Sequence, residues 1–308
     1  MRLAADAVRV SVPATAGNLG PGFDALGMAL GVSDEIEVRA VATSSVAIQI
    51  EGEGADSLPR DETHLVVRAL REALDQVGAS QVGLAIRAIN RIPHGRGLGS
   101  SAAAVVAGIS AARGLIAEPE ALSAEIALDI ATRFEGHPDN AAPAIYGGAT
   151  VAWSDESGAH AVPLQVAEEI ETAVLIPGSV LPTKQARSVL PSRVPHEDAA
   201  FNAGRAALLV NALAGRPEDL FAATEDRLHQ QYRADVMAAA PAMIERLRGQ
   251  GLAAVVSGAG PSVLVLGVDL AAHGLDSGTL DWAEGVGGES WRCVLTAERV
   301  PGATSALL

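Results

Sequence analysis

After an alternating apolar run, and before an alanine-rich one, the chain carries Pro93-His94-Gly95-Arg96-Gly97-Leu98-Gly99-Ser100-Ser101. No other segment restricts the fold as much. Three glycines at every second position allow backbone bends barred to other residues and let main-chain amides approach an oxyanion closely. The run from Ala102 to Arg113 predicts a helix, whose first N–H groups lack intrahelical partners and whose dipole favours negative charge. Ser100 and Ser101 add hydroxyls suited to a phosphate oxygen or a magnesium ion. A strand, a glycine loop and a helix in this order predict a phosphate cradle in a mixed α and β fold. Taken alone, the segment also fits a glycine-rich connection capped by serine and holding nothing.

Two familiar nucleotide loops fit this segment poorly. A Walker A loop places lysine after its last glycine, and here Gly99 is followed by Ser100. A dinucleotide fingerprint starting at Gly95 needs glycine at position 100. Its acidic partner would also fall on Glu118 or Glu120, which flank Pro119 at an apparent helix start.

Three further segments concentrate polar chemistry. Thr15-Ala16-Gly17-Asn18-Leu19-Gly20-Pro21-Gly22-Phe23-Asp24 follows the first alternating run, and could present Asn18 and Asp24 to a cleft or simply make a turn. Glu135-Gly136-His137-Pro138-Asp139-Asn140 could cap a helix with Pro138 in its first turn, or hold magnesium and a substrate amine. Ser257-Gly258-Ala259-Gly260-Pro261-Ser262 lies between two apolar runs, where glycines permit a tight turn or a close approach.

Period-two alternation over Val8–Val12, Ile36–Val38, Val46–Ile50 and Val82–Ile86 predicts strands, and Leu65–Val77 follows helical spacing up to Gly78. A second series starts at Thr172–Ile176, continues through helical patterns at 199–214 and 235–248, and ends in strands at Leu252–Val256 and Val263–Leu266. The polar turn Asp155–Gly158 suggests a boundary, giving domains at 1–165 and 166–308. Cys293, the single cysteine, sits in an alternating run and is expected to be buried, without a redox or zinc role. A formal charge of −15 with no basic stripe argues against a nucleic-acid partner. Apolar stretches too short to span a bilayer, and no signal layout, argue against a membrane and for a cytoplasmic protein.

Together, the four motif segments resemble the GHMP kinases (galactokinase, homoserine kinase, mevalonate kinase and phosphomevalonate kinase) over residues 8–267. The resemblance implies an α+β, two-domain fold: an N-terminal α/β domain of ribosomal-protein-S5-like type and a C-terminal ferredoxin-like domain, with ATP and acceptor meeting between them. NLGPGFDALGMAL at 18–30, GHPDNAAPAIYGG at 136–148, TKQARSVLP at 183–191 and DAAFNAGRAALLVNAL at 198–213 look specifically like the homoserine kinase branch. That branch implies ATP-dependent phosphorylation of the L-homoserine hydroxyl to O-phospho-L-homoserine, in threonine biosynthesis, with Mg2+. Another GHMP kinase of mevalonate type, or a non-catalytic nucleotide-binding protein, is the alternative; a homodimer is left open.

Residue by residue, the resemblance puts ATP on Pro93, Gly95, Arg96, Gly97, Leu98, Gly99, Ser100 and Ser101, with His64 near the adenine. It puts Asn18, Asp24, His137 and Asp139 around the amino and hydroxyl ends of the substrate, with Thr183 and Gly260 in the same set. Arg187 and Arg233 would hold the carboxylate; without the resemblance each reads as a solvated helix charge. Glu135 and Ser101 or Ser100 are the implied magnesium ligands. Asp139 is the candidate base if there is one, Asn140 orients the hydroxyl, and Lys184 and Arg187 offset charge. The chain departs from the family pattern at His64, where relatives often have asparagine, at Pro182, often serine, and at Arg133, often acidic.

Overall fold

The computed structural model describes residues 1–237, 239–297 and 299–308. Its first sheet contains β1 (Ala7–Gly17), β2 (Leu26–Val41), β3 (Val46–Gly52), β4 (Gly83–Asn90), β5 (Ala149–Asp155) and β6 (Gly158–Leu164). Its second contains β7 (Glu171–Pro177), β8 (Ala253–Val256), β9 (Val263–Gly267), β10 (Gly278–Thr279) and β11 (Trp291–Thr296). The last strand, β12 (Thr304–Leu307), returns to the first sheet beside β1. The strand orders are β12-β1-β2-β4-β3, with β5 on β2 and β6 on β5, and β10-β11-β7-β9-β8. Only β3–β4 is a parallel pair among the described residues.

Helices α1 (Leu65–Gln76), α2 (Ser100–Leu115), α3 (Ala124–Glu135) and α4 (Ala141–Tyr146) accompany the first sheet. In α1 the apolar positions Val66, Val67, Leu70, Ala73 and Leu74 are buried, as the helical spacing predicts. Small residues on α2 let it lie close against α1. A Cβ on Gly108 would stand 2.4 Å from the Val66 carbonyl. The second half adds α5 (Thr183–Ser188), α6 (His196–Leu213), α7 (Leu220–Ala223), α8 (Gln230–Arg233) and α9 (Ala240–Arg248).

Alternation explains how the two sheets meet. Val174, Ile176, Val255, Leu264 and Leu266 point from the second sheet into a core shared with β1, β2, α1 and α2. Their neighbours Ala173, Leu175, Val256, Val263 and Val265 face the other way, onto a smaller core with Met243 and Leu247 of α9. The sheets are therefore held by one continuous apolar core, and the loops between them are fixed in relation to each other. Cys293 lies in the smaller core at 1% exposure, and burial pushes its thiol up to about 12.

Two local readings gain detail. Asp155–Gly158 is the tight end of the β5–β6 hairpin, closed by Asp155 Oδ1 accepting from the Ser157 amide (2.8 Å) and hydroxyl (2.6 Å). The passage between sheets runs from Leu164 to Glu171 and contains the expected boundary between residues 165 and 166. The helical pattern at 235–248 becomes a 3-10 turn at 234–236 followed by α9, in which Pro241 occupies the first turn, where its missing N–H matters least; residue 238 lies outside the described residues. Among the described residues no helix is long and apolar enough to cross a membrane.

Candidate active site

A cleft of about 320 Å³ opens where the loops at the ends of β1, β4 and α3 face the turn between β8 and β9. Along one wall runs the glycine loop. Gly95, Gly97 and Gly99 have φ of 64°, 70° and 64°, so the alternation of glycine meets a real backbone need. A Cβ on Gly97 would lie 2.1 Å from the Ser257 carbonyl, and one on Gly99 would lie 2.0 Å from Thr15 Oγ1. The opposing turn clamps the loop: Ser257 Oγ donates to the Gly97 carbonyl (2.8 Å) and the Ser262 amide to the Arg96 carbonyl (3.3 Å). Gly99 then opens α2 without any side-chain cap, so first-turn N–H groups remain for an anion.

Next to that helix end, Ser101 Oγ donates to Glu135 Oε1 at 2.5 Å. Burial pushes the Glu135 carboxyl up, against the lowering effect of Ser101 and of the His137 charge. A hydroxyl and a carboxylate side by side suit a hard cation with oxygen ligands, and the donors present therefore fit magnesium.

The 137–140 turn forms a chain of contacts. His137 Nδ1 hydrogen-bonds Asp139 Oδ1, Asn140 Nδ2 donates to the same oxygen (3.2 Å), and Thr15 Oγ1 donates to Asn140 Oδ1 (3.0 Å). Burial disfavours the imidazolium of His137, but the hydrogen bond and charge of Asp139 outweigh it and raise the pKa. Asp139 is only 1% exposed, and Gly17 makes room for it, since a Cβ there would stand 2.2 Å from Oδ2. Pro138 precedes α4 rather than opening it; Asn140 occupies the cap position.

At the far end, Asn18 adopts φ 72° and staples the loops. Its Nδ2 donates to the Gly258 carbonyl (2.8 Å) and its Oδ1 accepts from the Asp24 amide (3.0 Å). Arg187 on α5 grips Asp24 with both arms, at 2.6 and 3.2 Å. Arg233, 1% exposed, donates from Nε to the Ala186 carbonyl (3.2 Å) and from Nη1 to the Gly258 carbonyl (3.3 Å). Burial, then the charge of Arg187, brings its pKa down to about 10, so it stays a cation at neutral pH.

Of the residues singled out in the sequence, Asn18, Gly95, Gly97, Leu98, Gly99, Ser100, Ser101, Glu135, His137, Asp139, Asn140, Thr183, Arg187 and Arg233 line this cleft. Asp24 joins them through Arg187. Lys184, Pro93, Arg96, His64 and Gly260 do not line it. Arg96 spends its guanidinium on the carbonyls of Pro177, Gly178 and His94, and Pro93 lies beside it in a neighbouring hollow. His64 caps α1, its Nδ1 accepting from the Val66 amide (3.3 Å), and burial pushes its pKa down. Gly260 packs on Met237, whose sulfur would stand 2.7 Å from an added Cβ; Gly258 and Ala259 take the cleft positions. Asp24, His137 and Asp139 place donor atoms within 4.8 Å of one another, a grouping that omits Glu135. Sequence reasoning missed Thr15 as the partner of Asn140, and Phe134 in the wall; neither residue type signals such a role alone. A larger hollow of about 540 Å³ at the seam of the sheets is lined mainly by apolar residues, with Glu168 and Arg299 its charged members.

A glycine cradle opening a helix, set in this two-sheet α+β fold, defines the class. Residues 64–148 match the family described as GHMP kinases N terminal domain. The homoserine kinase of Streptomyces coelicolor is 54% identical over 288 residues, covering 93% of this chain and 90% of its own. That of Clavibacter michiganensis subsp. michiganensis is 51% identical over 85% of this chain and 83% of its own. The crystal structure of homoserine kinase from Cytophaga hutchinsonii has a TM-score of 0.84 at 25% identity, with 98% of each chain covered. The chain belongs to the homoserine kinase family.

Proposed function

We propose that the protein is an enzyme that transfers the γ-phosphoryl group of ATP to the side-chain hydroxyl of L-homoserine, giving ADP and O-phospho-L-homoserine for threonine biosynthesis. The observation that carries this reading is the polarity of one cleft. One end offers an uncapped helix start and glycine amides, and the other offers two arginines and a carboxylate. A polyphosphate fits the first and a zwitterionic amino acid the second.

In this reading the loop Gly95–Ser101 and the start of α2 hold the phosphates. Glu135 and Ser101 would hold Mg2+, which when bound neutralises phosphate charge. Arg187 and Arg233 take the substrate carboxylate, Asp24 and His137 face its ammonium end, and Asn140 orients the hydroxyl. Asp139 is an anchor rather than a base: Oδ1 already accepts from His137 and Asn140, while Oδ2 lies against Gly17. Phosphoryl transfer through a loose transition state is driven by positioning and charge stabilisation, so a strong base is not required. The same reading puts the protein in the cytoplasm, where ATP is supplied.

The test is ADP release, measured by enzymatic coupling, with homoserine, mevalonate, galactose and serine as acceptors. Homoserine should dominate. A preference for mevalonate would overturn the substrate and leave the kinase; no ADP release with any acceptor would overturn both.

A further inference from the structure

His229 has no part in the chemistry above, yet it is 0% exposed and touches both sides of the substrate end. It enters through Asp226, whose Oδ2 accepts from the amides of His229 (3.1 Å) and Gln230 (2.8 Å) and so fixes the first turn of α8. One turn on is Arg233, whose Nη1 lies 3.1 Å from His229 Nδ1.

A guanidinium can only donate, so Nδ1 must supply the lone pair. Nε2 lies 2.8 Å from the Gly20 carbonyl, which can only accept, so Nε2 must carry the hydrogen. The two contacts thus define one neutral tautomer. Burial, which pushes the pKa of His229 down, favours the same form. Asp226 Oδ2, 3.7 Å from Nε2, is then a polar neighbour of a neutral ring and not an ion-pair partner.

The ring also closes a stack. Phe23, from the loop of Asn18 and Asp24, lies 5.3 Å from His229 between centroids, and the guanidinium carbons of Arg233 and Arg187 lie 5.6 and 5.8 Å from the Phe23 centroid. With Nε on Ala186 and Nη1 shared between His229 and Gly258, Nη2 of Arg233 has no partner among the described residues, and Arg233 lines the cleft.

We propose that His229 is a positioning residue: a neutral imidazole that accepts from Arg233 and donates to Gly20, aiming Nη2 of Arg233 at the substrate carboxylate and tying that arginine to the Asn18–Asp24 loop. The inference rests on Arg233 being a carboxylate holder. It adds what sets the direction of that arginine, and it requires that the two ring nitrogens act differently.

Two amide substitutions separate the two nitrogens. His229→Asn keeps an acceptor near Nδ1 and loses the tie to Gly20; His229→Gln reaches Gly20 but removes one of the two acceptors of Nη1 of Arg233, leaving it the Gly258 carbonyl alone. Homoserine KM should rise about ten-fold or more in His229→Gln, with kcat and ATP affinity within about two-fold of the parent, while His229→Asn keeps KM within about three-fold. Equal KM in His229→Gln and parent overturns the proposal. So does an equal rise in both variants, which would mark a scaffold role. Arg233→Leu is the control for the underlying reading: an unchanged homoserine KM there removes Arg233 from the carboxylate, and the inference falls with it. A raised KM in Arg233→Leu with no effect of His229→Gln overturns the inference alone. If His229→Gln does not fold, 15N chemical shifts of the parent ring decide, since an Nδ1–H tautomer or an imidazolium overturns the proposal and Nε2–H sustains it.

Discussion

The two ends of the cleft are built from different materials. At the end proposed for phosphate the donors are backbone amides, positioned by left-handed glycines and by the uncapped start of α2. At the substrate end they are side chains, and each already has a partner: Arg187 with Asp24, His137 with Asp139, Arg233 with His229. A backbone site cannot neutralise itself and stays open. A side-chain site of mixed charge can pair within itself, and binding there is an exchange. On the proposed roles, Arg187 releases Asp24 to take a carboxylate, and Asp24 is freed for an ammonium. One internal pair becomes two pairs with the ligand, which selects for a molecule carrying both charges.

The largest expected effect breaks the backbone end. Gly97→Val puts a β-branched side chain at φ 70° and 2.1 Å from the Ser257 carbonyl. The sequence suggests lost nucleotide binding on an intact fold; the clash adds damage to the contact between the sheets. Overpacking of about 1–3 kcal/mol, beyond backbone strain, should lower Tm by about 5 °C along with loss of ATP binding. Calorimetry and a thermal melt read both, and unchanged ATP affinity would remove the loop from the site.

Next is the exchange itself. Arg187→Leu should raise homoserine KM tens-fold, a loss in the lower half of about 2–5 kcal/mol because the side chain is 35% exposed, and ATP affinity should change far less. The parent should prefer homoserine strongly over its carboxamide analogue, and the variant should not. Equal preference in the two would mean that Arg233 alone holds the carboxylate, or that the acceptor is not an amino acid.

A smaller change is expected from Glu135→Gln, where kcat should fall about ten-fold and homoserine KM little, with a higher magnesium requirement. Steady-state kinetics over a magnesium series measures it. If neither value moves, the metal carboxylate lies elsewhere, and the Asp24, His137 and Asp139 grouping becomes the place to look. The smallest effect belongs to a site remote from both ends. Cys293→Ala should cost about 1 kcal/mol of stability and leave both KM values alone. In the parent, a thiol pushed up to about 12 stays protonated through neutral and mildly alkaline pH, so maleimide labelling should appear only on unfolding.

The same contrast decides what could be read from the chain. Glycine spacing before an alanine-rich helix is local, and so the loop proposed as the cradle can be read without relatives, beside the reading of an empty connection. The substrate end joins residues 18–24, 137–140, 183–187 and 233, and only the resemblance gathers them. Arg233 reads as a solvated helix charge by itself, whereas its 1% exposure comes from the packing of Phe23, Ala186 and Gly258. Arg96 and His64 show the limit in the other direction. Both stand where ATP contacts were expected, yet one holds carbonyls and the other caps a helix. The turn at Asp155–Gly158 has the composition of a linker and the geometry of a hairpin, two things that polar residues serve equally well.

The return of β12 has a consequence for biosynthesis. As the chain leaves the ribosome, β1 appears well before residues 304–307, which pair with Val8–Ser11 and follow the whole second sheet. Until then β1 presents a row of unpaired amides and carbonyls along one edge, the kind of surface that recruits strands from other molecules. Chains broken off between residues 165 and 304 keep that edge bare. β12 thus acts as a seal, and nascent or truncated chains that lack it are the forms most exposed to aggregation and to chaperone capture.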